Sequence, residues 1–331
     1  MQGSSPPTTT FQYPDRDLAQ AIEARSIPAL QSAVRRARAR TTPEAHAEYL
    51  HRALWLAASE GALPLVQYLL ADAGATVRSL RVAHIANAAS VPLLTLLRAH
   101  GWDVDQADAR APPSQGRRLL DYAVGAADDA MVAWLLARGA RADGADVAYA
   151  EQGHAFPCPP PLLETCAKRG HVSMFRTLRA RGAELGTRTL QQAAWAAAAV
   201  GADPAAAADG KDGGGTGRHD RYGCDEAADE SVRRTRAEML RFLVEEVGLD
   251  VNGVDTRRES LAYHYGTPIN YAARCPKGAA VVKWLLEKGA DPHVKCSAHD
   301  EDATELAKRE KCDKVVAVLE KWIDDHGKKN S

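Results

Sequence analysis

The chain has 331 residues, 45% of them hydrophobic, and its 42 Lys and Arg residues almost balance 43 Asp and Glu residues. The net charge of −1 argues against a dedicated nucleic-acid binder and against a polybasic membrane module. The first residues, MQGSSPPTTTFQYP, lack the apolar core of a secretory signal, and no run of eighteen strongly apolar residues predicts a membrane span. We therefore expect an intracellular protein of the cytoplasm or nucleus, not a secreted one.

One pattern recurs along the chain after a predicted disordered tail at residues 1–16. A short helix with small Ala residues precedes a turn, a Leu-rich second helix and, in most copies, a glycine. A unit this short cannot bury its own apolar face, so successive copies must stack. In chain order, the copies occupy residues 18–39, 51–75, 82–102, 119–140, 161–183, 189–197 with 237–252, 266–293, and 303–322.

The copy at 266–293, GTPINYAARCPKGAAVVKWLLEKGADPH, shows the pattern best. Thr267 is placed to cap the first helix, and Pro268 falls at the first helical position, where a missing N–H costs nothing. The second helix repeats apolar residues at helical spacing from Val281 to Leu286. Gly289 follows it, where a left-handed residue is wanted.

These segments resemble ankyrin repeats, because TPIN stands where that family has Thr-Pro-Leu-His, and GADPH and LDVN stand where it has Gly-Ala-Asp-Val-Asn. The resemblance covers residues 17–323 and implies an all-α solenoid of about eight stacked helix-turn-helix repeats, with a short tail at 324–331. It also implies that the first helices line a concave groove beside projecting finger loops. The family's helix-opening His is replaced in successive copies, which weakens a hydrogen bond between turns, although Asn, Gln and Asp still offer a partner. The replacing residues are Trp55, Ala83, Asp121, Glu164, Gln191 and Asn270.

Insertions are predicted in the loops between repeats. The loop glycines at 74, 101, 139, 182, 248 and 289 lie 27, 38, 43, 66 and 41 residues apart, against about 33 for this repeat type. The longest gap contains residues 201–233, which are rich in Gly, Asp and Ala and are predicted to be a flexible insert. Within it, GKDGGGTG (210–217) lacks the Gly-Lys-Ser/Thr ending of a phosphate-binding loop, so we favour the insert over a nucleotide site.

The sequence carries little that predicts catalysis or a cofactor. Six scattered cysteines, without an export signal, are expected to be free thiols. His293, Cys296 and His299 have the residue types of a zinc site, but a structural site needs a fourth ligand, so a solvated loop is the favoured interpretation. No cofactor or metal is expected. The basic run Arg233-Arg234-x-Arg236 is interpreted as solvated helix surface.

The residues after each Ala-Ala position are predicted to point toward the groove. Among them we single out Lys168, Arg169, Trp195 and Arg274 as a basic-aromatic patch for partner binding, because Trp and Arg dominate interface energetics. Alternatively, Trp195 fills the junction beside the insert. The predicted function is a non-enzymatic, monomeric protein-interaction module or scaffold whose partner is a protein and not a nucleic acid or a membrane. The alternative is a regulatory or targeting subunit of an enzyme complex.

Overall fold

A computed structural model describes residues 16–106, 117–142, 161–206, 229–255, 266–296 and 300–327. Packing divides the chain into two compact units, residues 1–108 (unit 1) and 109–331 (unit 2), whereas the sequence predicts one array over 17–323. Residues 1–15 and 328–331 of the predicted tails and residues 207–228 of the predicted insert lie outside the described residues, whereas residues 324–327 of the predicted C-terminal tail are part of the last helix.

Unit 1 contains three successive helix pairs. Its first helices, α1, α3 and α5, each precede a second helix, α2, α4 and α6, and α3 packs against both α4 and α5. A single turn of 3₁₀ helix at Val77–Ser79 precedes α5. The helices are α1 Arg16–Glu23, α2 Ile27–Arg40, α3 Pro43–Ser59, α4 Leu63–Ala71, α5 Val82–Ala86 and α6 Val91–Ala99.

Unit 2 contains five further pairs, in which the first helices pack side by side in the order α7, α9, α11, α13, α15. Every copy predicted from the sequence is therefore present as a helix pair. The helices are α7 Leu119–Ala126, α8 Asp129–Ala137, α9 Leu162–Arg169, α10 Val172–Ala180, α11 Thr189–Val200, α12 Glu230–Arg241, α13 Pro268–Ala273, α14 Ala279–Glu287, α15 Ala303–Arg309 and α16 Asp313–Gly327.

The regular structure of the described residues is helical, apart from one isolated antiparallel bridge between Cys296 and Glu301. The all-α fold class predicted from the sequence is thus confirmed. No described helix is both long and apolar enough to cross a lipid bilayer.

The core consists of the facing apolar sides of neighbouring pairs. In α14, for example, Val281, Val282 and Leu285 are fully buried, while Ala272 and Ala273 of α13 are equally buried. Small Ala residues on the first helices let neighbouring backbones approach, and the branched residues of the second helices fill the remaining space. Each pair is therefore stabilised mainly by its neighbours.

Six second helices end at a glycine in the left-handed conformation, as predicted. A Cβ at any of these glycines would meet no other atom within 4 Å, so conformation rather than space explains the residue type. Their φ angles are 82° at Gly74, 88° at Gly101, 89° at Gly139, 91° at Gly182, 75° at Gly248 and 92° at Gly289.

The pair formed by α11 and α12 survives the long interruption between its helices. The two helices pack against each other, although 29 residues separate Val200 from Glu230. Asp229 caps α12 by accepting a hydrogen bond from the Ser231 N–H, so the helix begins inside the segment predicted to be flexible. It ends in a π-helical turn at Phe242–Glu246.

Four replacements of the family's helix-opening His are buried and hydrogen-bonded. The Gln191 amide donates to the carbonyls of Gly253 and Gly266 at 2.9 and 3.3 Å. A carboxylate oxygen of Glu164 accepts from the Arg188 N–H at 2.9 Å, and Asn270 donates to the Val294 carbonyl at 3.3 Å.

Asp121 is connected to the following loop indirectly, through Arg118. Its carboxylate accepts from the Arg118 N–H at 2.7 Å, and the Arg118 guanidinium donates to the Arg141 carbonyl at 2.9 Å. Polar residues other than His thus join four first helices of unit 2, α7, α9, α11 and α13, to the following loop.

Candidate functional site

Three neighbouring first helices carry the four residues of the predicted basic-aromatic patch. Lys168 and Arg169 form the last turn of α9, Trp195 lies in the middle of α11, and Arg274 caps the C-terminus of α13. Because α9 packs on α11 and α11 packs on α13, the structure places the four residues along one row of helices in unit 2.

Lys168 and Trp195 are in direct contact. The Lys168 ammonium lies 5.0 Å from the centre of the Trp195 ring, within the range of a cation–π interaction. Loss of hydration lowers the pKa of Lys168, and the positive charges of Arg169, Arg236 and Arg188 lower it further. The ammonium therefore lies among cations rather than beside a carboxylate.

Arg274 occupies the far end of the patch. Its guanidinium carbon lies 5.6 Å from the centre of the Tyr271 ring. Its Nε and one Nη atom are shielded from solvent and have no hydrogen-bond partner among the described residues. The next residue, Cys275, links α13 to α11, because its thiol lies 3.9 Å from the Trp195 carbonyl oxygen.

Arg236 belongs to the same cluster, and sequence reasoning missed it. Its side chain comes from α12 and is only 7% exposed, which corrects the interpretation of its basic run as solvated surface. Burial and, to a smaller extent, the positive charge of Arg169 lower the pKa of Arg236 to about 10. Its Nε atom is out of solvent and has no partner among the described residues. A signal existed in the sequence: apolar Met239, Leu240 and Leu243 follow Arg236 at spacings that place it on the buried side.

Gly170 explains how Arg236 reaches this position. Gly170 ends α9 in the left-handed conformation at φ 81°. A Cβ there would lie 3.0 Å from the backbone of Thr235 and 3.2 Å from the Arg236 side chain. The absent side chain therefore lets the backbone of α12 approach the end of α9, which carries Arg169.

A buried polar network supports the patch from beneath. The Asp255 carboxylate, 1% exposed, accepts a hydrogen bond from the Tyr271 hydroxyl at 2.6 Å and forms an ion pair with Arg188 at 3.3 Å. It also accepts from the Gly266 N–H at 2.5 Å. Burial, followed by the bond to Asp255, raises the pKa of Tyr271, so this hydroxyl remains a donor.

The cluster of Lys168, Arg169, Arg236 and Arg274 carries an unbalanced positive charge. None of these four residues forms an ion pair with an acidic side chain of the described part of the chain. The nearest buried acid of α9, Glu164, is used by the Arg188 N–H. The surface is suited to attract anionic groups and to hold them against an aromatic ring.

The described residues of the candidate metal site, His293 and Cys296, lie in different environments. His293 is exposed, and its N–H donates to Asp291. Cys296 is buried at 1% exposure, and burial raises the pKa of its thiol to about 11. His299 lies outside the described residues. Within the described ranges, no group of three or more His, Cys, Asp or Glu residues is arranged to hold a metal ion.

Unit 1 has a shallower surface of mixed character. A cleft of about 480 Å³ between α3 and α5 is lined by residues including Tyr49, Trp55 and Arg81. Trp55 packs against His84 with ring centres 4.8 Å apart. Trp55 thus joins α3 to α5 by a ring contact, and the cleft is lined by charges of both signs, including Glu48 and Arg81.

Comparison with known proteins agrees with the helix pairs. Residues 264–294 match the family model described as ankyrin repeat. Residues 264–294 are therefore an ankyrin repeat, and the other helix pairs follow the same pattern in a degenerate form. Ankyrin repeats are generally protein-interaction modules, and their fold is typically non-catalytic.

Among solved structures, the chain is similar to the human ASB11 ankyrin repeat domain. The sequences are 19% identical, the match covers 81% of this chain and 96% of that chain, and the TM-score is 0.49. No curated protein sequence matches the chain significantly.

Proposed function

We propose that this chain is a non-enzymatic protein-interaction module that binds its partner through the first-helix face of unit 2. The single observation that supports the proposal is the concentration of Lys168, Arg169, Trp195 and Arg274 on three adjacent first helices. Trp and Arg are the residues that most often dominate binding energy at interfaces. Their placement on helices rather than on loops gives a partner a preformed surface.

Affinity capture with charge-reversed variants tests this proposal. A triple variant, Lys168→Glu with Arg169→Glu and Arg274→Glu, is expected to lose partner proteins that the original chain retains. The matched control reverses three exposed charges on second helices, Arg179, Lys283 and Lys314. Both variants change the net charge equally, so a selective loss in the first depends on the location of the charges.

Site-specific cross-linking gives an independent measurement. A benzophenone amino acid replaces Trp195 in one protein and Lys283 in the other. We expect partner cross-links from position 195 and none from position 283, with circular dichroism confirming that both proteins are folded. Equal capture by the two charge-reversed variants, or cross-links from position 283 alone, would exclude this face as the binding surface.

A further inference from the structure

Lys168, Arg169 and Arg236 bring three cationic side chains together, and none of them forms an ion pair with an acid in the described part of the chain. Arg236 is 7% exposed, its Nε has no hydrogen-bond partner among the described residues, and Arg169 lies close enough to perturb it. A guanidinium group stays protonated at neutral pH even in such surroundings. The two guanidinium groups therefore remain charged together beside Lys168, and the burial of Arg236 makes their repulsion costlier than in water.

The local acids do not relieve this repulsion. Asp255 is occupied by Arg188, Tyr271 and the Gly266 N–H. On α12, Glu238 pairs with Arg234 at 3.2 Å. The described acids around the cluster thus pair with other residues. An external anion would supply a counter-charge for the three cations and a hydrogen-bond acceptor for the Arg236 Nε.

The cations extend along the helix row rather than forming one closed pocket. Lys168, Arg169 and Arg236 lie at the α9 end, and Arg274 lies at the end of α13, two helices away. Packed helices are about 10 Å apart, so the two ends are separated by roughly 20 Å. An extended peptide rises about 3.3 Å per residue, so about six residues span this distance. Trp195, in the middle, offers an aromatic face to the chain between the charged ends.

We propose that the first-helix face of unit 2 recognises an acidic peptide segment of its protein partner, with one carboxylate bound by Lys168, Arg169 and Arg236 and a second bound by Arg274. This inference rests on the proposed function and specifies the chemistry of the partner. A polypeptide fits better than a nucleic acid, because a net charge near zero provides no overall attraction for a polyphosphate chain. Each carboxylate of the peptide accepts hydrogen bonds from arginine N–H groups of Arg236 or Arg274 that have no acceptor among the described residues.

Selection of peptides on the intact chain tests the proposal. A library of random octapeptides carrying a photo-reactive group is bound to the purified protein in dilute salt. We expect the recovered peptides to be enriched in Asp and Glu and to cross-link to α9, α11 or α13. The best peptide and its Gln/Asn isostere are then titrated by fluorescence polarisation. We expect the isostere to bind at least about tenfold more weakly, and binding of the acidic peptide to fall when salt is raised to about 0.3 M.

Variants identify the cations responsible. Lys168→Gln and Arg169→Gln are each expected to weaken the acidic peptide at least about tenfold, while leaving the weak binding of the isostere unchanged. Lys283→Gln, which removes an exposed charge from α14, is the matched control and should have no effect. Because Arg236 is buried and its replacement can unfold the protein, the test uses the variants of Lys168 and Arg169.

The possible failures are distinguishable. The acidic specificity would be overturned if the peptides that cross-link to α9, α11 or α13 were not enriched in acids, or if the Gln variants did not change their affinity. The proposed interaction surface would remain supported. Peptides that cross-link only elsewhere, or no recovered peptide at all, would count against both. Tighter binding of a single-stranded oligonucleotide than of any selected peptide would replace the peptide with a nucleic acid as the ligand class.

Discussion

The Tyr271 hydroxyl donates a 2.6 Å hydrogen bond to a carboxylate oxygen of Asp255, and both residues are buried. Asp255 ends the described part of one finger loop, whereas Tyr271 belongs to the first helix of the next repeat. Arg188, the N-cap residue of α11 in the same repeat as Asp255, reaches both: it pairs with the carboxylate and donates to the Tyr271 oxygen at 3.3 Å. The α11–α12 repeat and the α13–α14 repeat, which carry Trp195 and Arg274, are therefore joined by this network.

Weakening this joint should destabilise unit 2. Asp255→Asn removes the charge that Arg188 requires and provides one carbonyl acceptor where three donors converge. We expect a loss of about 1–3 kcal/mol in the free energy of unfolding, because buried donors lose their acceptor. Urea denaturation followed by circular dichroism measures it.

Asp17→Asn is the matched control, because Asp17 pairs with Arg36 at a position where its side chain is 54% exposed. An exposed pair contributes little, about 0–1 kcal/mol. Equal losses in the two Asn variants would show that the buried network adds nothing beyond an ordinary surface ion pair.

Gly170 has two constraints, of which Gly182 has only one. Gly170→Ala must hold a left-handed φ of 81° and place a Cβ 3.0 Å from the Thr235 backbone. Gly182→Ala meets only the first constraint, with φ 91° and no atom near its Cβ. We expect Gly182→Ala to cost about 1–2 kcal/mol from conformation alone, and Gly170→Ala to cost about 1–3 kcal/mol more from overpacking. If thermal denaturation gave the two variants the same midpoint, the close approach of α12 to α9 would be wrong.

The amide of Gln191 should be essential where that of its neighbour is not. Gln191→Leu leaves the carbonyls of Gly253 and Gly266 without their donor, and we expect a loss of about 1–3 kcal/mol. Gln192→Leu changes the adjacent, half-buried residue in the same way chemically. Hydrogen exchange of the amides around Gly253 and Gly266 reports the local effect. Unchanged exchange in Gln191→Leu would contradict a bridging role.

Removing a cation from the patch should not harm the fold. Arg169→Gln takes away a charge that lowers the pKa of Arg236 and that has no acidic partner among the described residues. We expect unfolding in urea at the same concentration or a higher one, with a gain of up to about 1 kcal/mol. A loss above about 1 kcal/mol would indicate that Arg169 is needed structurally rather than for binding.

Because of the Cys296 thiol, the free energy of unfolding should fall as the pH rises above 9. Burial raises its pKa from 9.0 to about 11, so the folded state favours the neutral thiol. This contribution is complete below pH 9 and is lost as the pH rises toward 11, amounting to about 2 kcal/mol by pH 10.5. Unfolding free energies of the original chain and of Cys296→Ala, compared between pH 8 and pH 10.5, isolate this group because all other titrations are shared. Parallel pH profiles would contradict a buried protonated thiol.

Periodicity and turn chemistry predicted the helix pairs because both are local. The apolar spacing from Val281 to Leu286 and the left-handed Gly289 depend on neighbours within a few residues, and the structure confirms them. Lys168 and Trp195 could be proposed as neighbours only because the repeats fix a common register.

The helical spacing of Met239, Leu240 and Leu243 indicates that Arg236 is buried, but its position beside Arg169 could not be found in the same way. That position depends on how closely α12 approaches Gly170, although 29 residues separate Val200 from Glu230. The division of the chain into two units likewise depends on packing between distant segments, which no single motif records. The binding roles of Lys168, Arg169, Trp195 and Arg274 stay predictions, because partner recognition is a property of the complex.

The six glycines that end the second helices have φ angles between 75° and 92°. These angles strain an L-residue, whereas a D-alanine is relaxed at φ near +90°. Semisynthesis of the C-terminal segment with D-alanine at Gly289 would restrict the denatured chain while leaving the native backbone undisturbed. A glycine that ends a second helix is therefore a position where we expect a residue of inverted chirality, D-alanine, to increase the free energy of unfolding.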